Sequence, residues 1–60
     1  MKYKKGQELT SYCKQYHYGK KVIIRQLGYV PDDPSYFITL KGGEWPKDGG
    51  FVFERELHES

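Results

Sequence analysis

Apolar residues in this chain come in short runs, and no segment keeps a helical spacing over ten residues. Val22-Ile23-Ile24, Tyr36-Phe37-Ile38-Thr39-Leu40 and Phe51-Val52-Phe53 are β-branched and aromatic, and Gly, Pro and Asp separate them. Such runs bounded by turn residues predict strands. Gly6 lets the backbone bend into a first strand that begins near Leu9. Residues 20–30 predict a second strand, central because Val22, Ile23 and Ile24 are apolar on both faces, with a bend or bulge at Gly28. Pro31-Asp32-Asp33-Pro34 is a turn, since its prolines remove two donors and restrict the residues before them. Residues 36–40 return as a third strand with Tyr36, Ile38 and Leu40 on one face and Phe37 and Thr39 on the other. Residues 50–54 form a fourth. Residues 54–58 read as one helical turn and a last short strand, or simply as an ending.

Two stretches resist the pattern. Ser11 to Gly19 is polar and tyrosine-rich, and either continues the first strand or forms a long hairpin loop. If it is extended, Tyr12, Tyr16 and Tyr18 share one face. Residues 41–50 hold four glycines and one apolar ring, Trp45, either tucked over the core or presented to a partner.

At 60 residues the chain is one domain, residues 1–60, near the lower limit for folding without staples. The expected core is Leu9, Val22, Ile23, Ile24, Leu27, Val30, Phe37, Ile38, Leu40, Phe51, Val52, Phe53 and Leu57, helped by Tyr29, Tyr36 and Trp45. A core of that size gives a stability of about 3–5 kcal/mol. Cys13, the single cysteine, has no partner for an internal disulfide. With His17 and His58 it lacks any zinc-site spacing, so no metal and no cofactor is expected. Cys13 and His17 in an extended strand are about 13 Å apart, too far for a nucleophile and its base. Gly42-Gly43 and Gly49-Gly50 lack the Lys-Ser/Thr of a phosphate-binding loop. The expectation is a protein that is not an enzyme.

Charge is uneven along the chain. Residues 1–30 carry seven Lys or Arg against Glu8, and residues 31–60 carry three against seven acids, within a net charge of +2. Either the halves interleave and neutralise each other, or they make one basic and one acidic face. Asp32, Asp33, Glu44 and Asp48 either solvate turns or meet a basic partner. Lys2, Lys4 and Lys5 are followed by no apolar stretch, so no signal peptide is expected, and no run approaches the ~20 apolar residues of a membrane span. With an unpaired cysteine, this points to the cytoplasm.

Lys5-Gly6-Gln7-Glu8-Leu9 at the start and Phe53-Glu54-Arg55-Glu56-Leu57 at the end frame four or five short strands. The whole chain thereby resembles the small SH3-like barrels, a group that includes Src-homology-3, Tudor-like and KOW-type modules. The resemblance implies an all-β fold, a small SH3-like barrel of about five short antiparallel strands. The Ala-Leu-Tyr-Asp-Tyr strand and paired tryptophans of the peptide-binding members are absent, so their proline-binding residues have no counterparts here. In size the chain looks like the small free-standing proteins of phages and other mobile elements.

Two surfaces are candidates for function. An aromatic one, Tyr12, Tyr16, Tyr18, Tyr36, Trp45 and Pro46, offers the ring types favoured as anchors in protein interfaces. A basic one, Lys4, Lys5, Lys14, Tyr16, His17, Lys20, Lys21 and Arg25, offers cations for phosphates and rings for bases, as single-stranded nucleic acid requires. The same residues also serve merely to cover a small core and keep an edge strand soluble. The expected function is non-catalytic recognition of a protein partner, with nucleic-acid binding or a structural homodimer as alternatives, and no membrane partner.

Overall fold

Alternation decides which side of each strand is buried. In the computed structural model, which describes residues 2–28 and 30–59, Val22 and Ile24, Tyr36 and Ile38, and Val52 are all fully buried. The described residues form β1 (Glu8–Ser11), β2 (Lys21–Leu27), β3 (Ser35–Leu40), β4 (Gly50–Phe53), a 3-10 turn over Glu54–Glu56, and β5 (Leu57–His58). Every paired neighbour is antiparallel, in the order β4-β3-β2-β1-β5. The two edge strands send Val52 and Leu57 into one shared cluster, so the sheet curls around a single core. The fold is all-β, as expected, with five antiparallel strands in one sheet, and of the two readings of residues 54–58 the structure has the helical turn and a last short strand. The second strand ends three residues earlier than expected, and Glu54 belongs to the turn.

The bulge lies at Arg25 rather than at Gly28. The β2–β3 register jumps between Ile24 and Gln26, and the extra residue throws the Arg25 side chain across the outer face. There its Nε donates to Thr39 Oγ1 at 2.9 Å and its Nη2 to the Gly43 carbonyl at 3.1 Å. Gly28 serves close approach instead, because a Cβ there would strike the Ser35 hydroxyl and crowd the Phe51 ring.

The core consists of Tyr3, Leu9, Cys13, Val22, Ile24, Tyr36, Ile38, Val52 and Leu57, with Tyr16 and Leu40 at its margin. This corrects the expected set. Ile23, Phe37, Phe51 and Phe53 are half-buried, the first three flanked along their strands by buried residues of the opposite face and Phe53 preceded by buried Val52. Leu27, Val30 and Trp45 are exposed. Tyr29 lies outside the described residues. Tyr3 and Cys13, outside the expected set, are buried members of the core. Tyr3 is held at both ends: its N–H donates to the Tyr36 hydroxyl at 3.0 Å and its own hydroxyl to the Leu57 carbonyl at 3.3 Å.

Candidate functional site: an aromatic strip and a groove beside it

The outer face of β3 and β4 carries a row of rings. Phe37 on β3 lies opposite Phe51 on β4, and their centroids are 5.2 Å apart. Phe53, two residues on and therefore on the same face, lies 5.4 Å from Phe51. The loop after β3 folds back so that Trp45 sits 5.6 Å from Phe37. A side chain at Gly49 would collide with the indole, so that glycine makes the return possible. Arg55 closes the other end, its guanidinium 4.5 Å from the Phe53 ring and hydrogen-bonded to Asp33 at 2.6 Å. The strip therefore runs Trp45, Phe37, Phe51, Phe53, Arg55. The centroid separations and tilted or edge-on geometries are those aromatic pairs prefer.

Beside β4 the loop between β1 and β2 forms the far wall of a groove of about 520 Å³, lined by Tyr12, Cys13, Lys14 and Gln15 opposite Phe51, Phe53, Arg55 and Glu56. Ser11 holds this loop in shape. Its buried hydroxyl donates to the Tyr16 carbonyl at 2.7 Å and accepts the Cys13 N–H at 3.2 Å. The loop continues through His17 at φ 61° and Gly19 at φ 77° and closes with Gly19 N–H donating to the Ser11 carbonyl at 2.7 Å.

The expected aromatic site is divided by this geometry. Tyr12 and Tyr18 are exposed and meet edge-on at 5.7 Å, with His58 on the other side of Tyr12 at 4.9 Å. Tyr16 turns away and packs over Gly50, where a Cβ would lie 2.5 Å from its ring. Trp45 is 37 % exposed at the end of the strip, and Pro46 beside it is also exposed. Tyr36 is a correction. It is fully buried, and its hydroxyl donates to Glu54 Oε2 at 2.6 Å. Burial, and then that carboxylate, raise the Tyr36 pKa above its ordinary value. The same hydrogen bond, with one from the Lys2 N–H at 3.0 Å, lowers that of Glu54. This pair ties the chain start to the 3-10 turn and presents nothing to a partner.

The expected basic site is spread out. Lys4 and Lys5 stand in the turn that docks on β2 through Gly6 N–H to the Ile24 carbonyl at 2.7 Å. Lys14, His17, Lys20 and Lys21 lie in or beside the β1–β2 loop, with Lys21 paired opposite Thr10. About 10 Å of strand separates the two groups. Arg25 is held by Thr39 and Gly43. Of the expected acidic residues, Asp33 pairs with Arg55, and Asp48 Oδ2 accepts the Glu44 N–H at 2.9 Å within its own loop.

Phe37, Phe51 and Phe53 are the site residues that sequence reasoning missed by assigning them to the core. The signal was present, since alternation along residues 36–40 already put Phe37 on the face opposite Ile38. Among the described residues there is no group of three or more His, Cys, Asp or Glu able to hold a metal, and no helix is long and apolar enough to cross a membrane. No protein-family model, curated protein or solved structure matches the chain.

Proposed function

We propose that this chain is a non-catalytic module that recognises a protein partner through the Trp45–Phe37–Phe51–Phe53 strip and the groove next to it. The continuous row of rings on an outer sheet face carries this reading. Aromatic side chains supply large rigid contact area at low entropic cost, and Trp and Arg are enriched among interface hot spots. Trp45 and Arg55 stand at the two ends of the row, with Tyr12 on the far wall of the groove as a further anchor. The expected nucleic-acid surface draws less support, because its lysines fall into two separate groups and Arg25 is already hydrogen-bonded. The unpaired, buried Cys13 fits a reducing cytoplasmic setting.

The test is an amide NMR titration of the whole protein with a partner recovered by affinity capture. Shifts should cluster on residues 37, 45, 51 and 53. Trp45→Ala should weaken binding by about 1–3 kcal/mol while the chain still unfolds cooperatively, since the indole lies outside the core. Raising salt from about 50 to 200 mM should change the affinity little, whereas polyanion binding falls steeply over that range. Shifts confined to residues 14–21 that vanish with salt would overturn the reading.

A further inference from the structure

β4 is an edge strand, and its second side has no neighbour in the sheet. The ladder to β3 determines which of its backbone groups face outward. Phe53 donates its N–H away from β3, to Glu56 Oε1 at 3.0 Å, so the Phe53–Ser35 pair exchanges no hydrogen bonds. Antiparallel pairs alternate, and Phe51–Phe37 is therefore a second pair of that kind. The N–H and C=O of Phe51 both point off the sheet edge, toward the groove whose far wall is Tyr12–Gln15. Neither has a hydrogen-bond partner among the described residues.

Both ends of this edge are closed. The Tyr16 ring covers Gly50, and the Glu56 carboxylate occupies the Phe53 N–H. What remains open is one donor and one acceptor on a single residue, set in a slot with chain on either side. An unpaired N–H and C=O at strand spacing is complementary to another extended backbone. A second folded copy pairing along this edge would bring its own 12–15 segment to the same groove, whereas a single extended segment brings none.

We propose that the β4 edge takes up an extended segment of a partner protein as an added antiparallel strand, one residue of which exchanges both hydrogen bonds with Phe51. This rests on the protein-recognition reading and names the form of the partner. On the outer face the added strand lays an apolar side chain beside the Phe51 and Phe53 rings. On the loop side it meets Lys14, a groove residue with no ion-pair partner among the described residues, which favours an acidic side chain there.

The test uses the whole protein against a displayed library of random peptides of about eight residues, roughly one strand, followed by N-methyl scanning of synthetic binders. N-methylation at one position should cost about tenfold or more in affinity, the worth of a lost hydrogen bond, while the adjacent positions tolerate it. The Phe51 amide, fast to exchange in the free protein, should become protected on binding. Proline-rich binders that leave the Phe51 amide unprotected would overturn strand addition yet leave protein recognition standing. A chain that sediments at twice its mass with the Phe51 amide already protected would assign the edge to a second copy and overturn the proposal. A library that yields no binder would overturn strand addition.

Discussion

Replacing Tyr36 by Phe keeps the ring and removes one oxygen, which makes it a clean probe of what ties the chain start to its end. That oxygen donates to Glu54 Oε2 at 2.6 Å and accepts the Tyr3 N–H at 3.0 Å. A hydrogen bond to a charged group contributes about 1.5–3 kcal/mol, at the lower end here because Glu54 is only half-buried, and a buried N–H left without an acceptor costs about 1–3 kcal/mol. The sum is about 2.5–4.5 kcal/mol against a total stability of about 3–5 kcal/mol for so small a domain. Tyr36→Phe should therefore bring the chain close to its unfolding midpoint at room temperature and lower Tm by about 10 °C or more. Urea titration followed by circular dichroism reads the first quantity and thermal melts the second. A loss below about 0.5 kcal/mol, the range of an ordinary surface substitution, would refute the assignment.

The pH dependence gives a second arm to the same experiment. The hydrogen bond from Tyr36, then that from the Lys2 N–H, holds the folded Glu54 pKa below its ordinary 4.5. The unfolded chain therefore takes up this proton first, and the associated stability is complete above about pH 4.5 and is lost as pH falls through the folded value. Tyr36 behaves in the opposite sense. Its folded pKa lies above 10.0, so its contribution is complete below pH 10 and is lost as pH rises through the folded value. In Tyr36→Phe both limbs should flatten relative to the natural chain. Glu54→Gln should flatten the acid limb and leave part of the alkaline one, since burial is the larger cause of the Tyr36 shift.

Two further outcomes bear on how the loops are held. Gly50→Ala should displace the Tyr16 ring and cost about 1–3 kcal/mol, as overpacking does; a thermal melt checks it, and if Tyr16→Ala in the same chain restores none of the loss, the contact is misassigned. Ser11→Ala removes the hydroxyl that donates to the Tyr16 carbonyl and accepts the Cys13 N–H, and should cost about 1–2 kcal/mol with faster amide exchange at Cys13. Unchanged exchange there would show that the loop holds its shape without Ser11.

The strands were legible because burial on one side of a sheet writes period-two alternation into the chain, as Val22/Ile24 and Tyr36/Ile38 do. The core was less so, since size and apolarity alone do not say which face of a strand a residue occupies. Phe51 and Phe53 flank Val52 and so point outward, while Tyr3, polar at its tip and far from any strand run, goes inward because the Leu57 carbonyl and the Tyr36 hydroxyl satisfy both its ends. The tyrosine segment defeated the even-offset rule for a related reason. That rule holds for extended backbone, and the turn built by Ser11 and by the positive φ of His17 brings Tyr12 to Tyr18 while sending Tyr16 to Gly50. The bulge at Arg25 left no mark in the sequence, because the groups that hold its side chain, Thr39 and the Gly43 carbonyl, lie on other elements. Trp45 could be placed only once its loop had closed onto Phe37.

Magnitudes connect the strip to the strand edge. Three half-buried phenylalanines and a Trp that is 37 % exposed leave on the order of 200 Å² of ring surface in water, below the several hundred Å² of a typical largest apolar patch. Covering it returns about 5 kcal/mol at ~25 cal/mol per Å². Association costs an estimated 4–15 kcal/mol in lost freedom, so the rings alone support only a weak contact. Additional binding energy has to come from groups that lose nothing on desolvation because they gain a partner. The Phe51 N–H and C=O, next to two of the four rings, are groups of this kind. A partner that contacts the strip without pairing to β4 should therefore bind weakly, and one that does both should owe its affinity to the Phe51 backbone as much as to the ring.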